Sequence, residues 1–462
     1  MNGSWVGAWA LMPQLPPRFY TEIRMSYAEA IEQLFAKAPE LYTAAGGARR
    51  KFSLEEERAL LAALGDPQKR FPAVLIAGTN GKGSTAATLA SILQAAGLRT
   101  GLYTSPHLMH VNERIRIDGQ EIADEEFAEN FFLVHEAAER LFHEKKIPQM
   151  PSFFEQLTAQ AFEYFAEHRV QIAVLEVGMG GRLDATNVVE PLVSVIADIS
   201  LDHTEWLGAT IGAIAREKAG ILRAQGTMVT LPQHPEANQA LGEVATALAV
   251  RGVNAAAYVP ASGTVGAYVI EALGAEIRID SPLKGEHQHR NVALAIATAV
   301  ELAEEHGFAQ ITPEAIAEGI AATRWPGRLE AIAGLGARWI LDVAHNPAGA
   351  WAMRSGLNAV LPENERHTLV FSCLRDKPVA EMAQILFPLF ERVILAPIHS
   401  PRATAIADLE AAAKATGASF EVAESVEQAL RAAAKPGETV VVSGSVYLVG
   451  EVRSLLLGEA RA

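Results

Sequence analysis

The residue types best suited to chemistry lie in residues 74–93, where an apolar run, a glycine-rich turn and an alanine-rich helical pattern follow one another. Glycines let a backbone turn tightly and aim its amide groups inward, a lysine adds a mobile positive charge, and a hydroxyl can reach Mg²⁺. The turn holds all three types: Gly78, Thr79, Asn80, Gly81, Lys82, Gly83, Ser84 and Thr85. The stretch therefore predicts a strand, a loop that binds the phosphates of a nucleoside triphosphate, and a helix.

This loop departs from the strict Walker pattern, in which Gly-Lys-Ser/Thr comes five residues after the first glycine. Here the lysine comes early, and Gly83 separates Lys82 from Ser84. An ordinary glycine turn of an α/β domain would explain the glycines, but not a lysine followed by two hydroxyls. The phosphate-binding interpretation is therefore the better one.

Further polar residues follow other predicted strands, at the sheet edge where open α/β proteins bind ligands. Glu176 ends a strongly apolar strand and faces the phosphate loop, and a carboxylate buried there needs a cation, so it indicates a Mg²⁺ ligand. His203 follows another strand and is either a ligand or a capping or core histidine. Lys218, on a predicted helix, is typical of a solvated surface lysine. The other candidates are Ser105, His107, Ser152, Phe153, Phe154, Glu155, Arg182, Asp184 and Asp202.

Strand and helix patterns alternate regularly in the first half of the chain. Helices are predicted over 27–35, 54–64, 84–96, 127–144, 153–167 and 211–221. Strands are predicted over 73–77, 98–103, 172–177 and 193–199. Such alternation is typical of a doubly wound, mostly parallel α/β sheet.

The second half divides into three parts. Residues 228–283 predict an antiparallel appendage with a hairpin inside 263–280, and a helix is predicted over 290–306. A Pro/Gly-rich segment, 324–329, predicts a hinge. Beyond it, strands are predicted over 339–343, 368–371, 392–395 and 439–442. We therefore expect a P-loop domain over 25–323 and a smaller, Rossmann-like α/β domain over 330–462.

Composition limits the partners and the cellular setting that we expect for this protein. The net charge of -15 over 462 residues argues against a nucleic-acid surface. The single cysteine, Cys373, excludes an internal disulfide and fits a small residue ending a core strand. No apolar run reaches the roughly 20 residues of a membrane helix, so we expect a cytoplasmic protein, with a monomer as the default. Residues 1–24 are interpreted as a dispensable extension.

A series of motifs spread from residue 78 to residue 451 carries a family resemblance. In order they are GTNGKGS, TSPHL, ERI, EVGMGGRLDATN, DHTEWLG, EKAGI, HRN, WPGR, LDVAHN and SGSVYLVGE. The chain resembles the folylpolyglutamate synthase and dihydrofolate synthase family of the Mur-ligase superfamily. The resemblance covers nearly all of the chain after residue 25. The FSCLRDKP segment around Cys373 and the N-terminal extension depart from it, and neither is expected to touch the chemistry.

The resemblance implies roles for individual residues. ATP would contact Thr79, Asn80, Gly81, Lys82, Gly83, Ser84, Thr85, Asn291, Arg328 and Asp342. Two Mg²⁺ ions would be held by Ser105, Glu176 and His203, with a carbamylated Lys218. The pterin or folate would contact Ser152, Phe153, Phe154, Glu155, Arg182 and Asp184. Glutamate would contact His345 and Ser443. Lys82, Lys218 and His345 would be the catalytic residues.

The implied activity is ATP-dependent ligation of L-glutamate to dihydropteroate and to reduced folates through an acyl phosphate, with ADP and phosphate released. These small molecules are the expected partners. One alternative is polyglutamate synthesis alone. Another is a muramyl-peptide ligase, although the residues ahead of Gly78 are too few and too helical for the extra domain of those enzymes. A third is an ATP-binding regulator without turnover.

Overall fold

The computed structural model describes residues 26–37, 53–358, 360–361 and 367–458. The extension predicted over residues 1–24 lies outside these residues. In the described part, the strands of the first sheet are β1 (Ala73–Ala77), β2 (Thr100–Tyr103), β3 (Ile115–Ile117), β4 (Gln120–Glu121), β5 (Ile172–Glu176), β6 (Val193–Ile196), β7 (Thr227–Thr230) and β8 (Arg251–Asn254). Their spatial order is β4-β3-β2-β5-β1-β6-β7-β8. All pairings are parallel except those of β3 with β2 and β4.

Helices cover both faces of this sheet. They are α1 (Tyr27–Lys37), α2 (Leu54–Ala63), α3 (Lys82–Ala95), α4 (Asp124–His143), α5 (Phe153–Glu167), α6 (Thr204–Leu207), α7 (Ile211–Ala219), α8 (Pro235–Ala247), α9 (Glu286–Glu305) and α10 (Pro313–Ala322). Every residue of β1 and β5 is buried, as expected for central strands covered on both sides. The predicted doubly wound sheet is confirmed.

The helix after the phosphate loop packs unusually close to its neighbour. A Cβ added to Gly319 of α10 would lie 2.6 Å from the backbone nitrogen of Ile92 of α3. Small residues are therefore required where the two helices meet, which explains the alanine-rich pattern of α3. The packing fixes α3, and with it the loop at its first turn.

The prediction of an antiparallel appendage over 228–283 is largely wrong. Only the hairpin of β9 (Tyr268–Ala272) and β10 (Ala275–Ile279) is antiparallel. The segment before it forms β7, α8 and β8, which extend the main sheet in parallel. β8 is an edge strand whose side chains are mostly exposed, so its sequence lacks the apolar run of a buried strand.

The C-terminal part forms a second α/β unit. Its strands are β11 (Glu330–Gly334), β12 (Ala337–Leu341), β13 (His367–Phe371), β14 (Arg392–Leu395), β15 (Phe420–Val422) and β16 (Thr439–Ser443), in the order β11-β12-β16-β13-β14-β15. Only β11 is antiparallel to its neighbour. Its helices are α11 (Pro347–Leu357), α12 (Val379–Leu386), α13 (Ile406–Thr416), α14 (Val426–Ala433) and α15 (Val446–Leu457). Cys373 is buried just after β13, as predicted.

The two α/β units meet along a close contact between backbones. A Cβ added to Gly450 of α15 would lie 2.0 Å from the carbonyl oxygen of Leu108, which follows β2. Nearby, Arg453 pairs with Glu330 at 3.1 Å and also contacts the sulfur of Met109. These contacts set the carboxyl ends of the two sheets on either side of one cavity. No helix in the described part of the chain is long and apolar enough to cross a membrane.

Candidate active site

The phosphate loop is held against the end of strand β6. The amides of Thr79 and Asn80 donate to the carbonyl oxygen of Asp198 at 2.8 and 3.1 Å. Gly81 adopts a φ of 85°, and a Cβ there would lie 2.2 Å from Oδ1 of Asn291 on α9, so both conformation and space require glycine. α3 begins at Lys82, which leaves the amides of its first turn available to an anion.

A buried carboxylate faces this loop. Glu176, the last residue of β5, accepts a hydrogen bond from the amide of Ser105 at 3.1 Å and lies 3.9 Å from Nζ of Lys82. Burial raises the pKa of Glu176, and the positive charge of Lys82 acts against that rise. A divalent cation beside Glu176 would favour its charged form further.

His203 presents a nitrogen that can act as a ligand. It precedes α6 in a left-handed conformation, with φ at 48°. Burial lowers its pKa to about 4, so the imidazole is neutral, and its buried Nδ1 has no hydrogen-bond partner within the described ranges. A neutral, unpaired imidazole nitrogen fits a metal ligand.

Ser105, Glu176 and His203 fit Mg²⁺ only as part of a site to which the substrate phosphates also contribute ligands. The described residues contain no group of three or more His, Cys, Asp or Glu side chains placed to hold a metal. Mg²⁺ commonly uses one or two carboxylates together with substrate phosphates and water. Glu176, Ser105 and His203 can supply the protein's share of such a site.

Lys218 of α7 is buried, so the interpretation as a solvated surface lysine is wrong. Its Nζ donates to the carbonyl oxygen of Gly78 at 2.7 Å. Burial, with a smaller effect of Lys82, lowers the pKa of Lys218 to about 7. At neutral pH this lysine is therefore not held fully in its charged form, and its uncharged amine is nucleophilic.

Three residues expected to contact the nucleotide approach from α9 and from the start of the C-terminal unit. Asn291 abuts the phosphate loop at Gly81. Asp342 follows β12 and accepts hydrogen bonds from the amides of Leu329 and Ala344, at 3.0 and 2.9 Å. Burial raises the pKa of Asp342 to about 6, against the effect of the nearby Arg328.

The four residues of the SFFE segment lie at the start of α5 and have two different structural roles. Ser152 and Glu155 form a capping box, with the amide of Ser152 donating to Glu155 at 2.6 Å. Phe153 packs under the guanidinium of Arg114, whose carbon lies 5.1 Å from the ring centre. Phe154 packs on Gly178, where a Cβ would lie 2.5 Å from the ring.

The loop after β5 is shaped by one buried carboxylate. Asp184 accepts hydrogen bonds from the amide of Met179 at 2.9 Å and from the hydroxyl of Thr186 at 2.6 Å. Arg182 points outward and pairs with Glu217 at 2.9 Å. Asp184 therefore fixes the loop conformation, while Arg182 lies at its solvent side.

In the C-terminal unit, His345 lies opposite the phosphate loop. Its Nδ1 is 2.9 Å from the carbonyl oxygen of Val343, which can only accept, so Nδ1 carries the proton. Its Nε2 is then the basic nitrogen, and it lies 3.7 Å from Asp202. Ser443 is buried at the end of β16, where its hydroxyl is 3.5 Å from the carbonyl oxygen of Ala344.

The predicted residues converge on one cavity of about 480 Å³ between the two units. All of the candidate site residues line it except Thr85, His107 and Ser443. Ser445, two residues beyond Ser443, lines it instead. The wall thus combines a phosphate loop, buried acids and bases, aromatic rings and cations from both sheets.

Comparisons with known proteins agree with this arrangement. The Mur ligase middle domain matches residues 76–299, and the Mur ligase glutamate ligase domain matches residues 327–446. Folylpolyglutamate synthase of Lacticaseibacillus casei is 37% identical over 86% of this chain and 93% of its own length. Dihydrofolate synthase/folylpolyglutamate synthase of Bacillus subtilis (strain 168) is 36% identical over 88% and 95%.

The chain belongs to the folylpolyglutamate synthase and dihydrofolate synthase family. Among solved structures, Mycobacterium tuberculosis folylpolyglutamate synthase complexed with ADP and AMPPCP superposes with a TM-score of 0.80, at 36% identity over 87% of this chain and 95% of that one. E. coli FolC in complex with DHPP and ADP gives 0.80 at 31% identity, over 94% and 98%.

The sequence did not predict the pairing of Asp202 with Lys377, which joins the two units of this family member. Asp202 accepts hydrogen bonds from Lys377 at 2.6 Å and from the side-chain amide of Asn346 at 3.0 Å. The Asn346 amide also reaches Asn80 of the phosphate loop at 3.0 Å. Lys377 holds the pKa of Asp202 below its usual range, despite burial. Lys377 belongs to the FSCLRDKP segment, so the expectation that this segment lies away from the site is wrong.

A second missed cation lies beside Lys377. Arg402 lines the cavity and pairs with Asp376 at 2.9 Å. Asp376 in turn lies 3.7 Å from Nζ of Lys377. The only sequence signal for these residues was their type, since 175 residues separate Asp202 from Lys377.

Proposed function

We propose that this protein joins L-glutamate to the carboxylate of dihydropteroate and to the γ-carboxylate of reduced folates, at the expense of ATP. The observation that carries the proposal is the convergence of Lys82, Glu176 and Lys218 with His345 and Lys377 on one cavity. We assign ATP and folate binding to residues 25–323, a hinge to 324–329 and glutamate binding to 330–462.

Activation of the folate carboxylate is the first step. A carboxylate oxygen attacks the γ-phosphorus of ATP, the bond to the β-phosphate oxygen breaks, and ADP and an acyl phosphate form. The amides at the start of α3, with Lys82 and Arg328, stabilise the charge on the transferring group. Mg²⁺ held by Ser105, Glu176 and His203 would supply further charge neutralisation at these phosphates.

Lys218 supports a modified ligand in this site. Its uncharged amine can add CO₂ and lose a proton, which forms a carbamate and replaces a cation by an anion. The site of that anion is close to Lys82 and the carbonyl of Gly78. A carbamylated Lys218 would thus give a second carboxylate-like group for Mg²⁺, as Glu176 gives the first.

Amide formation is the second step. The amino group of glutamate must lose a proton before it attacks the acyl carbon, and we assign Nε2 of His345, in the C-terminal unit, to accept it. The tetrahedral intermediate then collapses with departure of phosphate. Lys377 and Arg402 are the cations placed to bind the two carboxylates of glutamate.

The pterin ring is placed by apolar contacts. Phe153 and Phe154 give flat surfaces suited to a heterocycle, and both line the cavity near Glu176. Because Ser152 and Glu155 cap α5, their contribution is to hold these rings in position as well as to contact the ligand. Arg182 and Asp184 belong to the facing loop.

Steady-state assays of ADP release test the proposal. Purified protein with ATP, Mg²⁺ and L-glutamate is supplied with dihydropteroate in one series and with tetrahydrofolate in another. We expect glutamate-dependent ADP release in both, and Glu176→Gln, of nearly equal shape, as the inactive control. ATP binding without glutamate-dependent release with either substrate would contradict the proposal. Turnover with tetrahydrofolate alone would favour the second candidate, polyglutamate synthesis only, which is the activity named for the L. casei relative.

A further inference from the structure

The indole of Trp325 lies directly on the phosphate loop. A Cβ added to Gly83, in the first turn of α3, would lie 2.9 Å from Cζ2 of Trp325 and 3.2 Å from its Nε1. Trp325 belongs to the segment that joins the two units, just ahead of β11. The loop and the connecting segment are therefore in contact at a position that tolerates no side chain larger than hydrogen.

Two guanidinium groups lie within cation–π range of the same indole. The central carbon of Arg328 is 6.0 Å from the ring centre, and that of Arg116 is 5.7 Å away. Arg116 is fixed on β3 by Glu121 at 3.0 Å and by the carbonyl oxygen of Glu113 at 3.1 Å. The indole thus has a fixed cation nearby and a second cation, Arg328, that faces the cavity.

Arg328 is weakly held by its own segment. Its Nη1 donates to the carbonyl oxygens of Pro326 and Gly327, at 3.4 and 3.2 Å. These distances lie at and beyond the long end of the usual range for N–H···O hydrogen bonds. The position of Arg328 relative to the phosphates depends on the acidic groups near it, Asp342 and Glu176, and on the indole of Trp325, which packs beside both Arg328 and the loop.

The indole N–H of Trp325 makes no hydrogen bond to any of the described residues. Its Nε1 is buried and has no partner within the part of the chain that the structure describes. The ring of Trp325 can therefore act on its neighbours through its flat, rigid surface and not through its donor. Phenylalanine supplies a similar surface without the donor, whereas leucine supplies no ring.

We propose that Trp325 is a positioning residue that aligns Arg328 with the phosphate loop, through contact with Gly83 on one side and with the guanidinium on the other. The inference rests on the proposed function, because Arg328 is assigned to the phosphate that is transferred. A displacement of about 1 Å at such a group can cost about a hundredfold in rate. ADP lacks that phosphate, so its binding does not depend on the alignment.

A double-mutant cycle tests the alignment. We expect Trp325→Leu to lower kcat by about ten- to a hundredfold while the Kd for ADP changes by less than about threefold. In an Arg328→Ala background, the same substitution should change the remaining kcat by less than about twofold. Trp325→Phe should keep kcat within about threefold of wild type. Thermal melts of each variant show that folding is retained.

Additive losses in the two backgrounds, or a loss of ADP affinity equal to the loss of kcat, would overturn the proposal. Intrinsic fluorescence supplies a readout that does not need turnover. In a Trp206→Phe background, which removes the tryptophan that lines the cavity, AMPPCP should change the emission more than ADP does, and Trp325→Phe should abolish the difference. Equal changes with the two nucleotides would refute the contact with Arg328 even if no folate proved to be a substrate.

Discussion

Replacing Lys218 by methionine should remove a pH dependence of stability that the wild-type protein shows. Burial lowers the pKa of Lys218 to about 7 from 10.5. Between these values the unfolded chain binds a proton that the folded chain does not, so the free energy of unfolding rises with pH. The full effect is about 5 kcal/mol, of which about 2 kcal/mol falls between about pH 7 and pH 9.

Urea unfolding, followed by circular dichroism across this pH interval, measures the effect. The buffers contain neither Mg²⁺ nor nucleotide and are depleted of CO₂, since carbamylation would remove the amine. Lys218→Met should gain about 2 kcal/mol less than wild type between about pH 7 and pH 9. Lys414→Met, on the exposed face of α13, is the control for loss of a surface lysine. Parallel curves for wild type and Lys218→Met would refute the reasoning.

Three further substitutions follow from the site. Lys218→Ala should abolish glutamate-dependent ADP release, and acetate or propionate should partly restore it by replacing the carbamate; full activity without rescue would rule out the carbamate. Lys377→Met should raise the KM for glutamate by about tenfold or more while the Kd for ADP changes little, because a charged hydrogen bond contributes about 1.5 to 3 kcal/mol; titration calorimetry and initial rates separate the two. Gly450→Ala should lower Tm by several degrees in a thermal melt, since its Cβ would meet the carbonyl of Leu108 at 2.0 Å; an unchanged Tm would contradict the close contact.

Local signals in the sequence were sufficient to predict the phosphate loop and Glu176. The phosphate loop is a short motif between a strand and a helix, and Glu176 directly follows an apolar run, so position in the chain predicts position in space. The doubly wound sheet follows from the same alternation. Strand β8 escaped this reasoning because its side chains are mostly exposed at the sheet edge, and β7 because only Met228 and Val229 of its four residues are buried, so neither strand carries a continuous apolar run.

Pairing between distant residues could not be predicted. Asp202 was one polar residue among several in its motif, and nothing local indicates that Lys377 neutralises it. Burial of Lys218 likewise depends on packing of α7 against the loop at Gly78. For the SFFE segment the sequence allows two roles, because its Ser-x-x-Glu spacing is also the signature of a helix cap. Its contact with the pterin stays a prediction.

The pairing of Asp202 with Lys377 also constrains how this enzyme can be recombined with its relatives. A chimera that joins the first α/β unit of this chain to the C-terminal unit of another protein keeps Asp202 but exchanges its partner. If the donor has no cation in that place, a buried carboxylate is left uncompensated, at a cost of about 3 to 5 kcal/mol. Exchange of the two units therefore requires a donor whose C-terminal unit carries a cation at the position of Lys377.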